Sequence, residues 1–455
     1  MAAFPLIRHL GATRGVTGSC HLVQTGGLNI LIDCGQAHGR DAVASMHHWP
    51  VRPSDVHFVF LTHAHVDHSG RLPELVRAGF RGEILTTHAT RALLVPMLED
   101  ALSFSDFEGA GDLARKVGDL AWGFEFGEDF VLRQGVRFRF GRAGHILGSC
   151  FVRLEHPKEG WSILFSGDLG GRGRPLLPDP DPPPASDLLV LESTYGDRVH
   201  SAKQDRLRTL GKILSRSLAD GGKVLIPSFA LGRTQELLYE LDRLDSDPEL
   251  ADEFPSLSSE SKIPVFLDSP LGSKLTEIHQ KLVPFWDDEA KRRLRSGDNP
   301  LDFERLFQAA RHQDHRKLLE YQGPCIILAG SGMCTGGRIV DHLKAALEEP
   351  RNDLVFVGYQ ASGTPGRRIA EQAGRPGGYV ELDGERFSIR AGVHSIGGYS
   401  AHADRDELIA WVKSMHGPGG QTRPGRIRLV HGEPAAKKAL AAALGTLGYQ
   451  VEGPA

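Results

Sequence analysis

Hydrophobic and polar positions alternate in short runs over the first two hundred residues, and turn residues separate these runs. HLVQTGGLNILID (21–33) predicts two strands joined by a Gly-Gly turn, and VHFVF around residues 57–60 predicts a third. The pattern continues in FRFGRAGHILGSCFVRLEH (138–156), WSILFSGDLGG (161–171) and LLVLEST (188–194). The proline-rich stretch RPLLPDPDPPPASD (174–187) predicts a surface loop.

From about residue 200 the pattern changes to an apolar strand, a loop of small residues and a helix. This order recurs in KVLIPSFALGRTQELLYEL (223–241), IPVFLDSPLGSKLTEIHQKL (263–282), CIILAGSGMCTGGRIVDHLKAAL (325–347) and LVFVGYQASGTPGRRIAEQ (354–372). Strands that alternate with helices predict a parallel sheet, whose ligands bind beyond the carboxyl ends of the strands. No nucleotide cofactor is expected, because GxxxxGK[ST] does not occur and GSGMCTG departs from the GxGxxG spacing.

Composition and charge narrow the class of protein. The chain has 455 residues, 40% of them hydrophobic and 24% charged, which is typical of a globular protein with more than one domain. Its net charge of −4 provides no overall basic field, so local features would have to bind any nucleic acid. The five cysteines form no CxxC pair, which favours a reducing compartment. Since the sequence shows neither an apolar signal segment nor an apolar run of about 18 residues, we expect a cytoplasmic protein without membrane contact.

Four metal-capable side chains follow the strand around residues 57–60. LTHAHVDHSG (61–70) contains His63, His65, Asp67 and His68. Residues i and i+2 of an extended segment point to the same side, so His63 and His65 can share one metal while Asp67 and His68 hold a second. Imidazole and carboxylate are suitable zinc ligands, and two ions about 3.5–4 Å apart are typical of hydrolases that act at phosphorus or carbonyl centres.

Three further metal-capable residues stand where an apolar strand ends. Asp33 closes LNILID, His145 follows FRFGRAG, and Asp168 ends WSILFSGD. Taken singly, the histidine can be an ordinary turn residue, and the two aspartates can form Asx-turns before glycine. From the residues alone, each of these three side chains can be either a structural turn residue or a metal ligand.

THAHVDHSG, together with these three strand-end residues in the same order, resembles the metallo-β-lactamase fold, an αβ/βα sandwich with its metals at one edge. The resemblance implies two Zn²⁺ per chain. It assigns one zinc to His63, His65 and His145, the other to Asp67 and His68, and a bridging position to Asp168. It also implies that Asp33 orients the site through hydrogen bonds.

Motifs in the rest of the chain resemble the RNA-type β-CASP nucleases of this fold. These motifs are LESTYG (191–196), IPSFALGRTQELL (226–238), AGSGMCTGGR (329–338), GYQASGTPGR (358–367), GYSAHAD (398–404) and LVHGE (429–433). The resemblance implies an α/β protein in which a parallel-sheet β-CASP domain is inserted into the lactamase sandwich. We expect the first part of the lactamase domain at 1–197, the β-CASP domain at 198–397 and the return of the lactamase domain at 398–455.

Glu192, His402 and His431 lie in three of the motifs that are typical of that family. His431 follows the apolar run RIRLV and is expected to be a further metal ligand, with a strand-end turn residue as the alternative. His402 is the expected general acid that protonates the leaving ribose oxygen, and Glu192 would orient its ring. Asp33 and Asp67 complete the expected catalytic set.

Four residues are candidates for binding the substrate: Ser400, Arg233, Arg338 and Gly332. The two arginines would hold phosphates. Gly332 either permits a tight turn or exposes backbone N–H groups to a phosphate. Ser400 is also a candidate N-cap for the helix that follows it. His394 has no strand-end placement and is expected to be structural.

A histidine at the position of His431 is typical of RNA-acting relatives, whereas DNA-acting relatives usually carry an apolar residue there. The resemblance therefore implies a zinc-dependent ribonuclease that hydrolyses single-stranded RNA with a two-metal-activated hydroxide. Within the family, the chain most resembles bacterial ribonucleases and the endonuclease subunit of the pre-mRNA 3′-end cleavage complex. Internal cleavage is expected, with cleavage from a 5′ end as the alternative. The alternatives are a DNA nuclease, a small-molecule metallo-hydrolase and a non-catalytic RNA-binding scaffold. A small-molecule hydrolase of this fold would not need the β-CASP segment, and a scaffold should have lost metal ligands. A homodimer is an open possibility.

Overall fold

The computed structural model describes residues 4–37, 45–103, 109–200, 206–417 and 419–453. The strands are β1 (Leu6–His9), β2 (His21–Thr25), β3 (Leu28–Ile32), β4 (Phe58–Phe60), β5 (Glu83–Thr87), β6 (Ala121–Phe124), β7 (Asp129–Val131), β8 (Arg137–Arg142), β9 (Cys150–His156), β10 (Trp161–Phe165), β11 (Leu188–Glu192), β12 (Lys223–Pro227), β13 (Val265–Asp268), β14 (Leu306–Gln308), β15 (Cys325–Ala329), β16 (Asp353–Phe356), β17 (Tyr379–Leu382), β18 (Glu385–Ser388), β19 (Gly392–Ser395), β20 (His416–Gly417), β21 (Gly420–Gln421) and β22 (Arg426–Val430). The α-helices are α1 (Val66–Ser69), α2 (Leu72–Arg77), α3 (His88–Ser103), α4 (Ala110–Asp119), α5 (Arg206–Ser217), α6 (Arg233–Ser246), α7 (Pro248–Glu253), α8 (Pro270–Lys281), α9 (Asp288–Arg295), α10 (His312–Glu320), α11 (Arg338–Ala346), α12 (Pro365–Gln372), α13 (Arg405–Lys413) and α14 (Pro434–Thr446).

The chain divides into two compact units. Met1–Val199 and Ala401–Ala455 form the first unit, and His200–Ser400 forms the second. The domain boundaries that the sequence suggests, after residues 197 and 397, stay a prediction of where the functional domains divide.

Two six-stranded sheets build the first unit, in the orders β1-β2-β3-β4-β5-β6 and β22-β11-β10-β9-β8-β7. Their facing sides bury an apolar layer, as the alternation of apolar and polar positions predicts. Within this layer the Phe60 ring meets the Phe138 ring edge to face, with 5.0 Å between centroids. Apolar residues of α3 and α4 pack on the first sheet, and those of α13 and α14 pack on the second. The αβ/βα sandwich expected from the resemblance is confirmed.

The second unit contains a six-stranded sheet in the order β14-β13-β15-β12-β16-β19. All of its neighbouring strands pair in parallel. Continuous apolar runs such as Cys325–Ala329, buried along their whole length, suit a sheet that helices cover. The four strand-loop-helix units of the sequence supply β12, β13, β15 and β16 with α6, α8, α11 and α12, so the predicted inserted parallel sheet is confirmed.

The capping role considered for Ser400 is wrong. Helix α13 begins at Arg405, and its N-cap is Asp404, whose carboxylate accepts a hydrogen bond from Glu407 N at 3.0 Å. Glu407 Oε2 accepts in return from Asp404 N at 3.1 Å. This reciprocal capping box places the N-cap four residues after Ser400. Among the described residues, none of the helices has the length and apolarity that crossing a membrane requires.

Candidate metal centre

Metal-capable side chains collect at one edge of the first unit because several parallel strands end there. In the first sheet Ile32 lies opposite Phe60, so the residues that follow β3 and β4 emerge side by side. In the second sheet β10, β11 and β22 run parallel, with Glu192 opposite Val430. The segments after these strands carry Asp168 and His431. The common edge explains how residues almost four hundred positions apart in the sequence meet: His68 Nε2 lies 3.3 Å from His431 Nε2.

The first group of candidate ligands, named the first ligand group, consists of His63, His65 and His145. His63 Nε2 lies 3.1 Å from His65 Nδ1, which lies 3.2 Å from His145 Nε2. Two ligands of one tetrahedral zinc, each roughly 2.0–2.1 Å from the ion, are separated by about 3.3 Å. Lone pairs of neutral imidazoles repel one another when they converge, so this arrangement fits a cation between them. His63 and His145 are fully buried.

The second group of candidate ligands, named the second ligand group, consists of Asp67, His68 and His431. Beyond the short distance between the two imidazoles, Asp67 Oδ2 lies 3.7 Å from His431 Nε2 and 3.9 Å from His68 Nε2. One carboxylate oxygen and two imidazole nitrogens therefore face the same point, as in a second zinc site.

Asp168 stands between the two ligand groups. Its Oδ2 atom lies 3.6 Å from both His63 Nε2 and His145 Nε2, and 3.3 Å from His68 Nε2. Its Oδ1 atom lies 3.4 Å from His431 Nδ1 and, within the described residues, is buried without a hydrogen-bond partner. A buried carboxylate oxygen without such a partner is costly, so this atom fits the role of a metal ligand. The residues present thus suit a pair of ions bridged by Asp168.

The protonation states favoured by the fold are those that metal binding needs, except at His68: although desolvation opposes it, the carboxylates of Asp168, Asp33 and Asp67 raise the pKa of that ring well above its usual value. Burial lowers the pKa of all three histidines of the first ligand group, which keeps them neutral. Desolvation opposes the charge of Asp168, but the imidazoles around it, led by His431 and His68, hold the pKa of its carboxyl well below the usual value. In the same way His68 and His431 outweigh desolvation and lower the pKa of Asp67 to about 2. Asp67 and Asp168 are therefore ionised.

Asp33 supports the site from behind. Its Oδ2 atom lies 2.7 Å from His68 Nδ1, the ring nitrogen that faces away from the second ligand group. Its Oδ1 atom accepts from Thr62 N at 2.8 Å. Asp33 and His431 both adopt left-handed backbone conformations, with φ of 60° and 49°. Such conformations are unusual outside glycine and here let the chain turn sharply where its strand ends.

Two threonines of the site did not emerge from the sequence. Thr62 Oγ1 lies 3.0 Å from His63 Nδ1 and donates to Asp33 Oδ2 at 3.0 Å, so it links the two ligand groups. Thr194 Oγ1 lies 3.1 Å from His431 Nδ1. Hydrogen bonds to the second ring nitrogen fix the orientation of ligating histidines. In the sequence, only the positions of these threonines indicate such a role: Thr62 directly precedes His63, and Thr194 belongs to the LEST segment.

His402 lies beside this centre and is held by Glu192. His402 Nδ1 is 3.2 Å from Glu192 Oε1 and 3.9 Å from Asp168 Oδ2. Glu192 is fully buried and also accepts from the backbone N–H groups of Leu169 at 2.7 Å and Thr194 at 3.2 Å. Although desolvation opposes it, the carboxylates of Glu192 and Asp168 raise the pKa of His402 to about 9. The ring therefore favours the protonated form.

The candidate substrate-binding residues belong to the second unit, where two of them already have protein partners. Arg233 is buried, with its Nη1 atom 2.5 Å from Glu236. Arg338 Nη1 lies 2.7 Å from Asp268 Oδ1. Gly332 packs against the ring of Phe229, and Ser400 is the last residue of the unit. His394, expected to be structural, lies 2.6 Å from the carboxylate of Asp353.

Family comparisons cover most of the chain. Residues 13–210 match the metallo-beta-lactamase superfamily, residues 234–369 match the Beta-Casp domain, and residues 386–454 match the Zn-dependent metallo-hydrolase RNA specificity domain. The chain is similar in fold to a protein of unknown function from Enterococcus faecalis V583, with a TM-score of 0.57 and 12% identity, over 100% of this chain and 98% of that one.

Individual relatives match nearly the whole length of this chain. A ribonuclease from Thermus thermophilus is 41% identical over 97% of this chain and 96% of its own length. A transcription termination factor from Methanocaldococcus jannaschii is 32% identical over 94% of this chain and 67% of its own length. The cleavage and polyadenylation specificity factor 73 of Drosophila melanogaster is 30% identical over 94% of this chain and 60% of its own length.

Proposed function

The chain belongs to the β-CASP family of metallo-β-lactamase-fold nucleases and is a metal-dependent RNA hydrolase, and we propose that it cleaves single-stranded RNA internally with two zinc ions. The observation that carries this proposal is the convergence of both ligand groups on Asp168, with one imidazole from each within 3.6 Å of its Oδ2 atom. Imidazole and carboxylate donors in near-tetrahedral spacing suit zinc.

The proposed ligand sets consist of the first and the second ligand group, with Asp168 common to both. One ion would be held by the first ligand group and Asp168, and the other by the second ligand group and Asp168. Zinc ions bound there supply a hydroxide nucleophile near neutral pH and polarise the phosphate that is attacked. Asp33 and Thr62 keep the ligating rings of His68 and His63 in one orientation.

His402 is proposed to donate the proton that the leaving ribose oxygen needs. Without bound metal, and against desolvation, the carboxylates of Glu192 and Asp168 raise the pKa of this ring to about 9, which favours the charged form that can donate a proton. Glu192 holds this ring through Oε1, and its own position is fixed by two backbone N–H groups. In this arrangement Glu192 acts as a positioning residue, as the carboxylate of a catalytic triad does.

Single-stranded RNA and internal cleavage are the finer parts of the proposal. The RNA specificity domain and the relative named as a ribonuclease support RNA, and so does the family resemblance, which associates a histidine at position 431 with RNA-acting members. A DNA nuclease is the second candidate. Comparing the cleavage of RNA with that of DNA of the same sequence tests it. We also propose a cytoplasmic location, which the five buried free cysteines and the bacterial ribonuclease relative support. The homodimer stays a prediction that sedimentation can test.

Digestion of one RNA labelled at either end, read on a sequencing gel, tests the proposal. Internal cleavage produces the same cut positions from both labels, while a DNA strand of the same sequence stays intact. Asp168→Ala, purified in parallel, controls for contaminating nucleases and should be inactive. Mononucleotides released in order from the 5′ end would contradict internal cleavage, and equal cutting of DNA would contradict RNA selectivity.

A further inference from the structure

Two exposed aromatic rings stand at the carboxyl edge of the parallel sheet in the second unit. Phe229 follows β12 and is 46% exposed, and Tyr359 follows β16 and is 52% exposed. Strands β12 and β16 are neighbours, with Leu225 opposite Leu354, so their following loops leave the sheet side by side. The carboxyl edge is where parallel sheets bind their ligands.

The Phe229 ring packs on a glycine, and hydrogen bonds hold the backbone that carries it. A Cβ atom at Gly332 would lie 2.8 Å from a carbon of this ring, so the ring packs directly over the glycine. The carbonyl of Phe229 accepts from Thr234 Oγ1 at 2.8 Å and from Thr234 N at 3.2 Å. Thr234 Oγ1 is also 3.0 Å from Ser228 Oγ. Nearly half of the ring nevertheless remains open to solvent.

The loop that carries Tyr359 is tied to the same glycine. The next residue, Gln360, is buried and donates from Nε2 to Gly332 O at 3.0 Å and to Gly358 O at 3.3 Å. Both aromatic loops thus meet at Gly332. The missing side chain of Gly332 therefore gives room to an aromatic ring, which differs from the phosphate-binding role suggested by the sequence.

We propose that Phe229 and Tyr359 form a stacking platform for unpaired bases of the RNA substrate. This inference rests on the proposed function and names what the second unit recognises. Every base offers a π-face, so aromatic platforms bind single strands without reading their sequence. Bases inside an A-form helix are not available for such stacking, and the platform therefore favours single-stranded over double-stranded RNA.

Isolated exposed apolar residues are common and need no ligand, and the same unit provides an example. Phe307, on the edge strand β14, is 52% exposed, and its ring leans on Phe266 with 5.7 Å between centroids. Phe229 and Tyr359 differ from it because they follow adjacent strands at the ligand edge, where the Phe229 ring packs over Gly332 and Gln360, next to Tyr359, donates to the same glycine. Phe307 is therefore the matched control.

The test uses the full zinc-loaded chain and initial rates on a mixed-sequence single-stranded RNA. We expect Phe229→Ala and Tyr359→Ala each to raise KM by about 5- to 150-fold with kcat unchanged, the effect of losing one stacked base. Phe229→Leu and Tyr359→Leu should behave like the alanine variants, because leucine keeps apolar bulk without a π-face. Phe229→Tyr, Tyr359→Phe and Phe307→Ala should match the unmodified protein. A competing abasic ribose-phosphate strand should inhibit all of these proteins equally.

Other outcomes overturn the platform. An unchanged KM in both alanine variants means that neither ring touches the RNA, and full activity in both leucine variants means that the contact is apolar without stacking. Thermal midpoints of all variants show whether the second unit stays folded. If the unmodified protein cuts no RNA, the proposed function fails, yet quenching of a 2-aminopurine-labelled RNA still tests the platform. Quenching by the unmodified protein that Phe229→Ala or Tyr359→Ala removes supports stacking, and no quenching contradicts it.

Discussion

Replacing His402 and His431 by alanine should separate proton transfer from metal binding. The two rings lie 5.9 Å apart between centroids, and both approach Asp168. His431 Nε2 faces His68 Nε2 in the second ligand group, so His431→Ala should release one zinc and abolish cleavage. His402 is turned toward Glu192, so His402→Ala should keep both ions and still bind RNA.

The expected loss of rate in His402→Ala is about 10²–10⁴-fold, the usual contribution of a positioned proton donor. Glu192→Gln should lose less, because an amide oxygen can still accept one of the two backbone hydrogen bonds. The amide NH₂ would face one of the N–H groups of Leu169 or Thr194 instead, and an unsatisfied buried donor costs about 1–3 kcal/mol of stability. The stability of Glu192→Gln should therefore be measured beside its activity.

The assay compares a normal phosphodiester with a phosphorothiolate whose leaving sulfur hardly needs a proton. Single-turnover rates on the sulfur substrate should recover most of the loss in His402→Ala and none in His431→Ala. Zinc content measured on the same samples separates the two roles independently. The reasoning is refuted if His402→Ala loses zinc, or if the sulfur substrate rescues neither variant, because His402 would then be a ligand or a phosphate-binding residue.

Asp168→Ala should lose most of both zinc ions by elemental analysis, because its carboxylate lies within reach of both ligand groups; full retention would exclude bridging. Asp33→Ala should weaken zinc affinity by about 10–100-fold in a chelator competition, with unchanged affinity as the contrary result. RNA affinity should fall steeply with salt, since phosphate contacts release counterions, and a flat dependence would count against RNA. Desolvation lowers the pKa of Lys437 to about 8 from 10.5, so protonation in the unfolded state opposes folding below that range. The unfolding free energy relative to Lys437→Met should therefore rise between pH 8 and 10.5.

The fold could be predicted from the sequence wherever one physical signal dominated. Apolar runs such as Cys325–Ala329 are long enough, and the glycine-rich loops after them distinctive enough, to predict the parallel sheet of the second unit. The edge at which metal-capable residues collect followed from the same pattern, because Asp33 and Asp168 each end an apolar strand. At these positions the local strand pattern and the tertiary structure agree, so the pattern alone was enough to locate the edge.

Side-chain partners could not be predicted, because they depend on contacts between distant segments. Arg338 is an example: nothing near it in the sequence indicates that Asp268 binds its guanidinium. Thr194 carries no metal-binding character of its own and acquires a role only because β11 and β22 pair in parallel. Ser400 is a candidate cap by its residue type, but the reciprocal hydrogen bonds of Asp404 and Glu407 determine where α13 begins.

Anomalous diffraction from crystals of the zinc-loaded protein, recorded above and below the zinc edge, tests the central claim most directly. Two zinc peaks about 3.5–4 Å apart are expected, one within the first ligand group and one within the second, with Asp168 between them. A single peak, a peak away from these residues, or a signal at the iron edge instead would contradict the two-zinc centre.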